Sequence, residues 1–180
     1  MKKFLTTLAT AAVLTASSSF VSAAAFTDIP LNHWANRAVT AMSDAGIVEG
    51  YSDGTFRGDK AVTCTEFAKM AGNLLVKVSP NSTAAAKKLV EDSSSDKNIT
   101  RFEIALICSQ VYTKVKDNML IVSNIFRDVP DDHWAAKAVN LMGTLKVMEG
   151  YGDGTFRGDK NMTRYEAALV LNGLYKAVSN

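Results

Sequence analysis

Few residues in this chain can do chemistry, and their spacing narrows what that chemistry is. His33 and His133 are single, far apart in sequence and each next to a Trp, so they read as packed or hydrogen-bonded side chains rather than metal ligands. Cys64 and Cys108 have no His near them in sequence, and Cys108 falls on an apolar helical stripe. No Ser/His/Asp, Cys/His or zinc constellation appears, so the chain reads as a non-enzyme without cofactor or metal. Binding chemistry is what remains. Arg101 and Arg164 each follow a Thr that opens a helix. An Arg there sits beside the positive helix end and gains nothing from the macrodipole. A cation placed against that preference suits an anionic ligand, which a guanidinium can grip with two hydrogen bonds. The plainer alternative is a surface ion pair with Asp96 or Asp159, worth about 0–1 kcal/mol. Trp34 and Trp134 can stack on a flat apolar ligand face or pack into a core, and both readings stand.

The elements that must position these residues are legible. Trp34 to Asp44 and Trp134 to Thr144 are helical by pattern, with Trp34, Ala38 and Met42 falling on one face. Asp53-Gly54 and Asp153-Gly154 are tight-turn dipeptides, because Gly accepts positive φ without cost and Asp tolerates it. A capping box, Thr-x-x-Glu, occurs as Thr63/Glu66, Thr100/Glu103 and Thr163/Glu166. Each box opens a helix with one apolar stripe: Phe67, Met70, Ala71, Leu74, Val78; then Ile104, Ile107, Cys108, Val111, Val115; then Ala167, Val170, Leu171, Leu174, Val178. One stripe cannot bury itself, but three equivalent stripes can meet as a three-helix core. Arg57-Gly58-Asp59 and Arg157-Gly158-Asp159 spell an adhesion-type tripeptide, but they sit in the loop before the helix, where Gly and Asp serve the turn.

These elements repeat. Residues 26–79 align with 126–179 without a gap, and about half the positions are identical. Glu49-Gly50-Tyr51-Ser52-Asp53-Gly54-Thr55-Phe56-Arg57-Gly58-Asp59-Lys60 recurs from Glu149 with only Gly152 in place of Ser52. Between the two lies a third, damaged copy. Asp96-Lys97-Asn98-Ile99-Thr100-Arg101-Phe102-Glu103 matches Asp159 to Glu166, but no Phe-x-Asp start, Trp or Asp-Gly turn precedes it. Ser82 to Val90 reads as a short capped helix standing in for the missing half.

The 180 residues are 47% hydrophobic and 21% charged, a globular composition that excludes disordered and low-complexity classes. Lys2-Lys3, the apolar run from Phe4 to Ala16 and the small residues Val21-Ser22-Ala23 read as a signal peptide over 1–23, with Ala24 or Ala25 as near alternatives for the cut. That run is shorter than the ~20 residues a spanning helix needs, and no later stretch is long enough. The leader holds two lysines and no acid, so the formal +2 of the chain falls to zero in the body. A neutral body has no electrostatic footprint for nucleic acid.

The repeated motifs resemble the S-layer homology (SLH) repeat: Phe26-Thr27-Asp28-Ile29, His33-Trp34-Ala35, Gly50 to Phe56 and Thr163-Arg164-Tyr165-Glu166 carry the likeness. The resemblance implies a mainly α fold, a pseudo-threefold three-pronged spindle around a three-helix bundle with short loops and hairpin turns. It divides the chain into the 1–23 leader, a repeat at 26–79, a truncated repeat at 80–125 and a repeat at 126–180. It implies an exported, non-catalytic module of the cell wall or periplasm that binds a peptidoglycan-linked secondary wall glycopolymer, or polyamine-modified peptidoglycan, through grooves between repeats. Carried over by motif, the groove residues are Arg101, Arg164, Trp34, Trp134, Asp28, Asp128, Gly50, Tyr51, Asp53, Gly150, Tyr151 and Asp153. Asp28 and Asp128 would orient the arginine or meet a sugar hydroxyl or an amine. Cys64 stands where the motif has Arg, and the middle repeat lacks the Trp and the turn. The expectation is one good site around Arg164, with groove partners from another repeat, and a second around Arg101. The rival readings are an envelope-assembly protein acting through homo-oligomerisation rather than as a monomer, and, remotely, a wall hydrolase.

Overall fold

The computed structural model describes residues 26–116 and 125–179, and the expected leader lies outside them. Among the described residues the chain is mainly helical: α1 (Asn36–Asp44), α2 (Cys64–Val78), α3 (Thr83–Ser93), α4 (Arg101–Lys116), α5 (Ala136–Thr144) and α6 (Arg164–Ser179). None of these helices is long and apolar enough to cross a membrane.

The three capping boxes open α2, α4 and α6. In each, the Thr hydroxyl accepts from the Glu amide and the Glu carboxylate accepts from the Thr amide. The predicted stripes face inward. Phe67, Leu74, Ile104, Cys108, Leu171 and Leu174 are all fully buried, and each of α2, α4 and α6 packs against the other two. Val78 and Val115, in the last turns, are only partly buried.

The short helices pack on the long ones in a fixed order: α1 on α6, α5 on α4 and α3 on α2. Thus α3 takes the place on α2 that α1 and α5 take on their partners. Gly72 makes this close, with the Ala86 carbonyl and a Val90 methyl in van der Waals reach of its missing Cβ.

Backbone exchange ties the three long helices together at their N-terminal ends. Val62 N–H donates to Met162 C=O (3.0 Å), Met162 N–H to Ile99 C=O (3.1 Å) and Ile99 N–H to Val62 C=O (2.9 Å). The bonds close a cycle of three. Two residues on, the first helical amides do the same: Arg164 donates to Lys60, Arg101 to Lys160 and Cys64 to Lys97. These N–H groups have no partner within their own helices, and a neighbouring loop supplies one. Only isolated bridges result, and no strand forms.

Two helix expectations shift. The first helices begin at Asn36 and Ala136, not at the tryptophans, because Pro30 to His33 and Pro130 to His133 close turns that the chain must leave first. Trp34 and Trp134 therefore stand before their helices rather than on the Ala38–Met42 face. The middle segment starts with a 3-10 turn at Pro80–Ser82, and α3 then runs to Ser93; Ser82 precedes it without a side-chain cap.

Thr163→Ala removes one acceptor from the start of α6. It should lower stability by about 0.5–2 kcal/mol, read as a lower urea midpoint with an unchanged slope.

Candidate functional site

Arg101 and Arg164 do not sit on the surface. They are 9% and 5% exposed, and each reaches into the turn of another repeat. Arg101 Nε donates to the Phe156 carbonyl (2.9 Å) and Nη2 to the Glu149 carbonyl (2.7 Å). Arg164 makes the same pair of bonds, to Phe56 (2.9 Å) and Glu49 (2.7 Å). Each guanidinium also lies over a Phe ring, Phe156 at 4.5 Å and Phe56 at 4.6 Å. No ion pair with Asp96 or Asp159 forms. Burial pushes Arg101 down from its ordinary value, but a guanidinium stays charged at any relevant pH. The Nε–Nη2 edge of each arginine is committed to carbonyls, and Arg101 Nη1 donates to Met162 Sδ at 3.8 Å.

The donors run one way round the cycle. Arg101 enters the turn of residues 149–156, and Arg164 enters that of 49–56. The side chain that would enter the middle segment is Cys64, and there no such turn exists. The missing Arg and the missing turn are therefore one change seen from two sides. Cys64 is buried, and burial pushes its thiol up rather than down. Cys108 is likewise buried and free.

The aspartates hold the turn rather than the arginine. Both Asp28 oxygens accept backbone amides, from Phe56 (2.8 Å) and Arg57 (2.7 Å), and Asp128 does the same with Phe156 (2.7 Å) and Arg157 (2.8 Å). The contact with the arginine is indirect: the residue whose amide Asp128 holds offers its carbonyl to Arg101. Burial pushes the Asp128 carboxyl up, but the Phe156 and Arg157 amides outweigh it and keep it below the ordinary carboxylate value. Asp53 accepts from the amide and hydroxyl of Thr55 and pairs with Arg57 at 2.8 Å, and Asp153 repeats the arrangement. These bonds hold both carboxyls well below their usual range. They lock Arg57 and Arg157 at φ near +54°, which places each guanidinium about 4 Å over Tyr51 or Tyr151. Gly50 and Gly150 lie under the Phe26 and Phe126 rings, and Gly58 and Gly158 lie under Tyr165 and Phe102, where a Cβ would collide. Packing explains these glycines, including those of the adhesion-type tripeptide.

The tryptophans are not core residues. Trp34 is 59% exposed and Trp134 61%. Trp34 is held edge-on by Tyr165 at 5.8 Å, and Trp134 by Phe102 at the same distance. Neighbouring His33 and His133 stack on the same two rings at 4.4 Å, and each accepts a backbone amide through Nδ1. Tyr165 and Phe102 follow the arginines directly, and sequence reasoning missed their part. The aromatic residue after each Thr-Arg pair was the available signal.

Three grooves lie beside the three long helices. One of about 350 Å³ runs along α2 and is lined by Gly50, Tyr51, Glu66, Lys69 and Arg164. One of about 310 Å³ runs along α4 and has Cys64, Ser94, Ser95 and Lys97 in place of the arginine and turn. The largest, about 700 Å³, runs along α6 and contains Arg101, Glu149, Glu166, Leu169 and also Trp34. Of the three grooves it alone unites an Arg with a Trp. The expectation centred on Arg164; the structure gives that residue the smaller groove, because an arginine lines the groove of the repeat it enters. Lys146 and Lys176, which also line the α6 groove, were missed. Alignment of the repeats could have shown them, since they replace Gly46 and Val76.

An exchanged helical core with an arginine set in two of its grooves, one of them beside an exposed Trp, defines a helical repeat module. The S-layer homology domain profile matches residues 25–68 and 125–168, so the chain carries two S-layer homology domains. Over 151 residues (84% of the chain) it is 27% identical to cell surface glycoprotein 1 of Acetivibrio thermocellus and 26% identical to the cellulosome-anchoring protein of the same organism. It covers 5% and 26% of those proteins. It is 45% identical over 53 residues, 29% of the chain, to outer membrane protein SlpA of Thermus thermophilus, of which it covers 6%. The chain thus spans a small part of the curated relatives it matches.

Two outcomes check this geometry. Cys64→Arg restores the motif but supplies a guanidinium without its carbonyls; it should destabilise by roughly 1–3 kcal/mol by urea unfolding rather than improve binding. Asp128 has a lower pKa folded than unfolded, so its contribution is complete above about pH 5 and is lost as pH falls through the folded value. Asp128→Asn should therefore flatten the acid limb of a stability–pH profile.

Proposed function

We propose that this chain is a non-catalytic cell-envelope attachment module, exported to the cell wall or periplasm. It binds peptidoglycan or a peptidoglycan-linked acidic glycopolymer. The α6 groove is the principal site. The union of Arg101 and the exposed Trp34 in that groove carries the reading: a free indole face can stack on a sugar, and a fixed cation suits a carboxylate. The Arg164 groove, with Tyr51 but no Trp, is a secondary site. The two S-layer homology domains and likeness to a protein named for cellulosome anchoring support attachment. We further assign residues 80–125 as a truncated third repeat that completes a three-pronged unit. The placement of α3 and the closed cycle through Ile99 support that assignment.

The test is co-sedimentation of the protein with sacculi from the producing cell, before and after acid stripping of the wall polymer. Trp34→Ala, an exposed change that leaves the core intact, should weaken retention about ten-fold. Loss of binding on stripping identifies the polymer as ligand. Binding that survives stripping identifies peptidoglycan itself. Retention by neither preparation overturns the reading in favour of an assembly role.

A further inference from the structure

The α6 groove is about twice the volume of its counterpart on α2; it gains Trp34 and Met162 at its near end and Lys146, Lys176 and Ala177 at its far end. Arg101, Trp34 and Glu166 mark the near end, beside the first turn of α6. From Glu166 the groove follows one helix face to Lys176, roughly 15 Å along the axis at 1.5 Å per residue. Gly173 lies against the Val147 backbone, which brings Lys146 beside these last turns. Lys146 and Lys176 thus share the far end of the groove.

Both lysines are peculiar to this repeat, replacing Gly46 and Val76. The first replacement is conformationally costly. Lys146 has φ +55°, in the left-handed region that Gly46 occupies at +71°, where a side chain is disfavoured. Arg57 and Arg157 are held in the same region by side-chain pairs with Asp53 and Asp153, whereas Lys146 has only its backbone bond to the Gly143 carbonyl, at the end of α5. Among the described residues, neither Lys146 nor Lys176 has a carboxylate partner. Two carboxylates also line the groove, Glu149 and Glu166; Glu166, at the near end, is paired with Lys160 at 3.6 Å, and Glu149 makes no ion pair with either lysine. A lysine in a last helical turn complements the macrodipole, but α2 meets that preference with Lys77, which does not line its groove.

We propose that Lys146 and Lys176 form a second anionic subsite, so that the α6 groove takes a glycan chain bearing at least two acidic groups, one at Arg101 and one at the lysine pair. This rests on the glycan-binding reading above and adds the charge pattern of the ligand. Two cations without carboxylate partners at the end of a groove that already begins with a fixed guanidinium complement a polyanion rather than a singly charged chain end.

The probe is again sacculi with their polymer attached, together with the same sacculi after carbodiimide amidation of their carboxylates. The variant is Lys146→Gly/Lys176→Val, which copies the first repeat at both positions. It should weaken binding to native sacculi about ten-fold, roughly three-fold per lysine, and flatten the salt dependence. Its Tm should not fall, since Gly relieves the backbone at position 146. Amidated sacculi should bind the native protein and the double variant equally. Double-variant affinity and salt dependence equal to those of the native protein, with Trp34→Ala still defective, overturn the second subsite and leave the glycan reading standing. If Trp34→Ala also binds as the native protein does, the glycan reading itself falls.

Discussion

The structure depends on the exchange of backbone hydrogen bonds among Val62, Ile99 and Met162 and among the helix starts beside them. An α-helix leaves its first amides without internal partners. Here the capping Thr satisfies one, and a loop from another repeat satisfies the first helical amide. No central helix is complete at its N-terminal end without its neighbour. The buried stripes below, from Phe67 to Leu174, need the same three helices for a different reason: each of the three long helices packs its apolar stripe against the other two. Polar and apolar demands therefore select one arrangement, which is the consistency expected of a sequence that specifies a single fold.

That exchange also explains where the arginines go. Arg101 and Arg164 occupy the first helical position, so the bond that ties the helix start to a foreign loop brings the guanidinium to that loop's carbonyls. The Asp128 clamp sets the Phe156 amide, and the Phe156 carbonyl then receives Arg101. A short chain of contacts thus runs from the Phe-x-Asp start of one repeat to the helix of another. Burying a guanidinium is tolerable because two carbonyls and a ring face receive it. Where the turn is absent, the same position holds Cys64, small and apolar enough to be buried without partners.

Much of this was legible from residue order. The capping boxes, stripes and tight turns are local patterns, and local chemistry produces them wherever they occur. Trp34 was misplaced for the same reason: spacing put it on the Ala38–Met42 face, but the Pro30–His33 turn, a local feature with a non-local consequence, delivers it to Tyr165 of another repeat. The backbone cradle of the arginines was not legible, because their carbonyl acceptors lie 48 to 115 residues away in sequence. Lys146 and Lys176 were passed over because a lone lysine carries no local pattern, and only the fold brings the two into one groove.

Because each groove is built from more than one repeat, duplicated sequence does not produce duplicated sites. The α6 groove takes its helix and turn from the last repeat, its arginine from the middle segment and its tryptophan from the first. The α2 groove has its own turn and an arginine from the last repeat, but the middle segment that would supply its tryptophan has none. The truncation of the middle segment subtracts a tryptophan from one groove and the arginine's cradle from another, and there the first repeat supplies Cys64 in place of an arginine. The middle segment, the most degenerate by sequence, still provides the arginine of the best-equipped groove. Selection on that groove would preserve Thr100-Arg101-Phe102-Glu103 while leaving the lost half of the same segment free to shrink to α3, and this is the pattern that the chain displays.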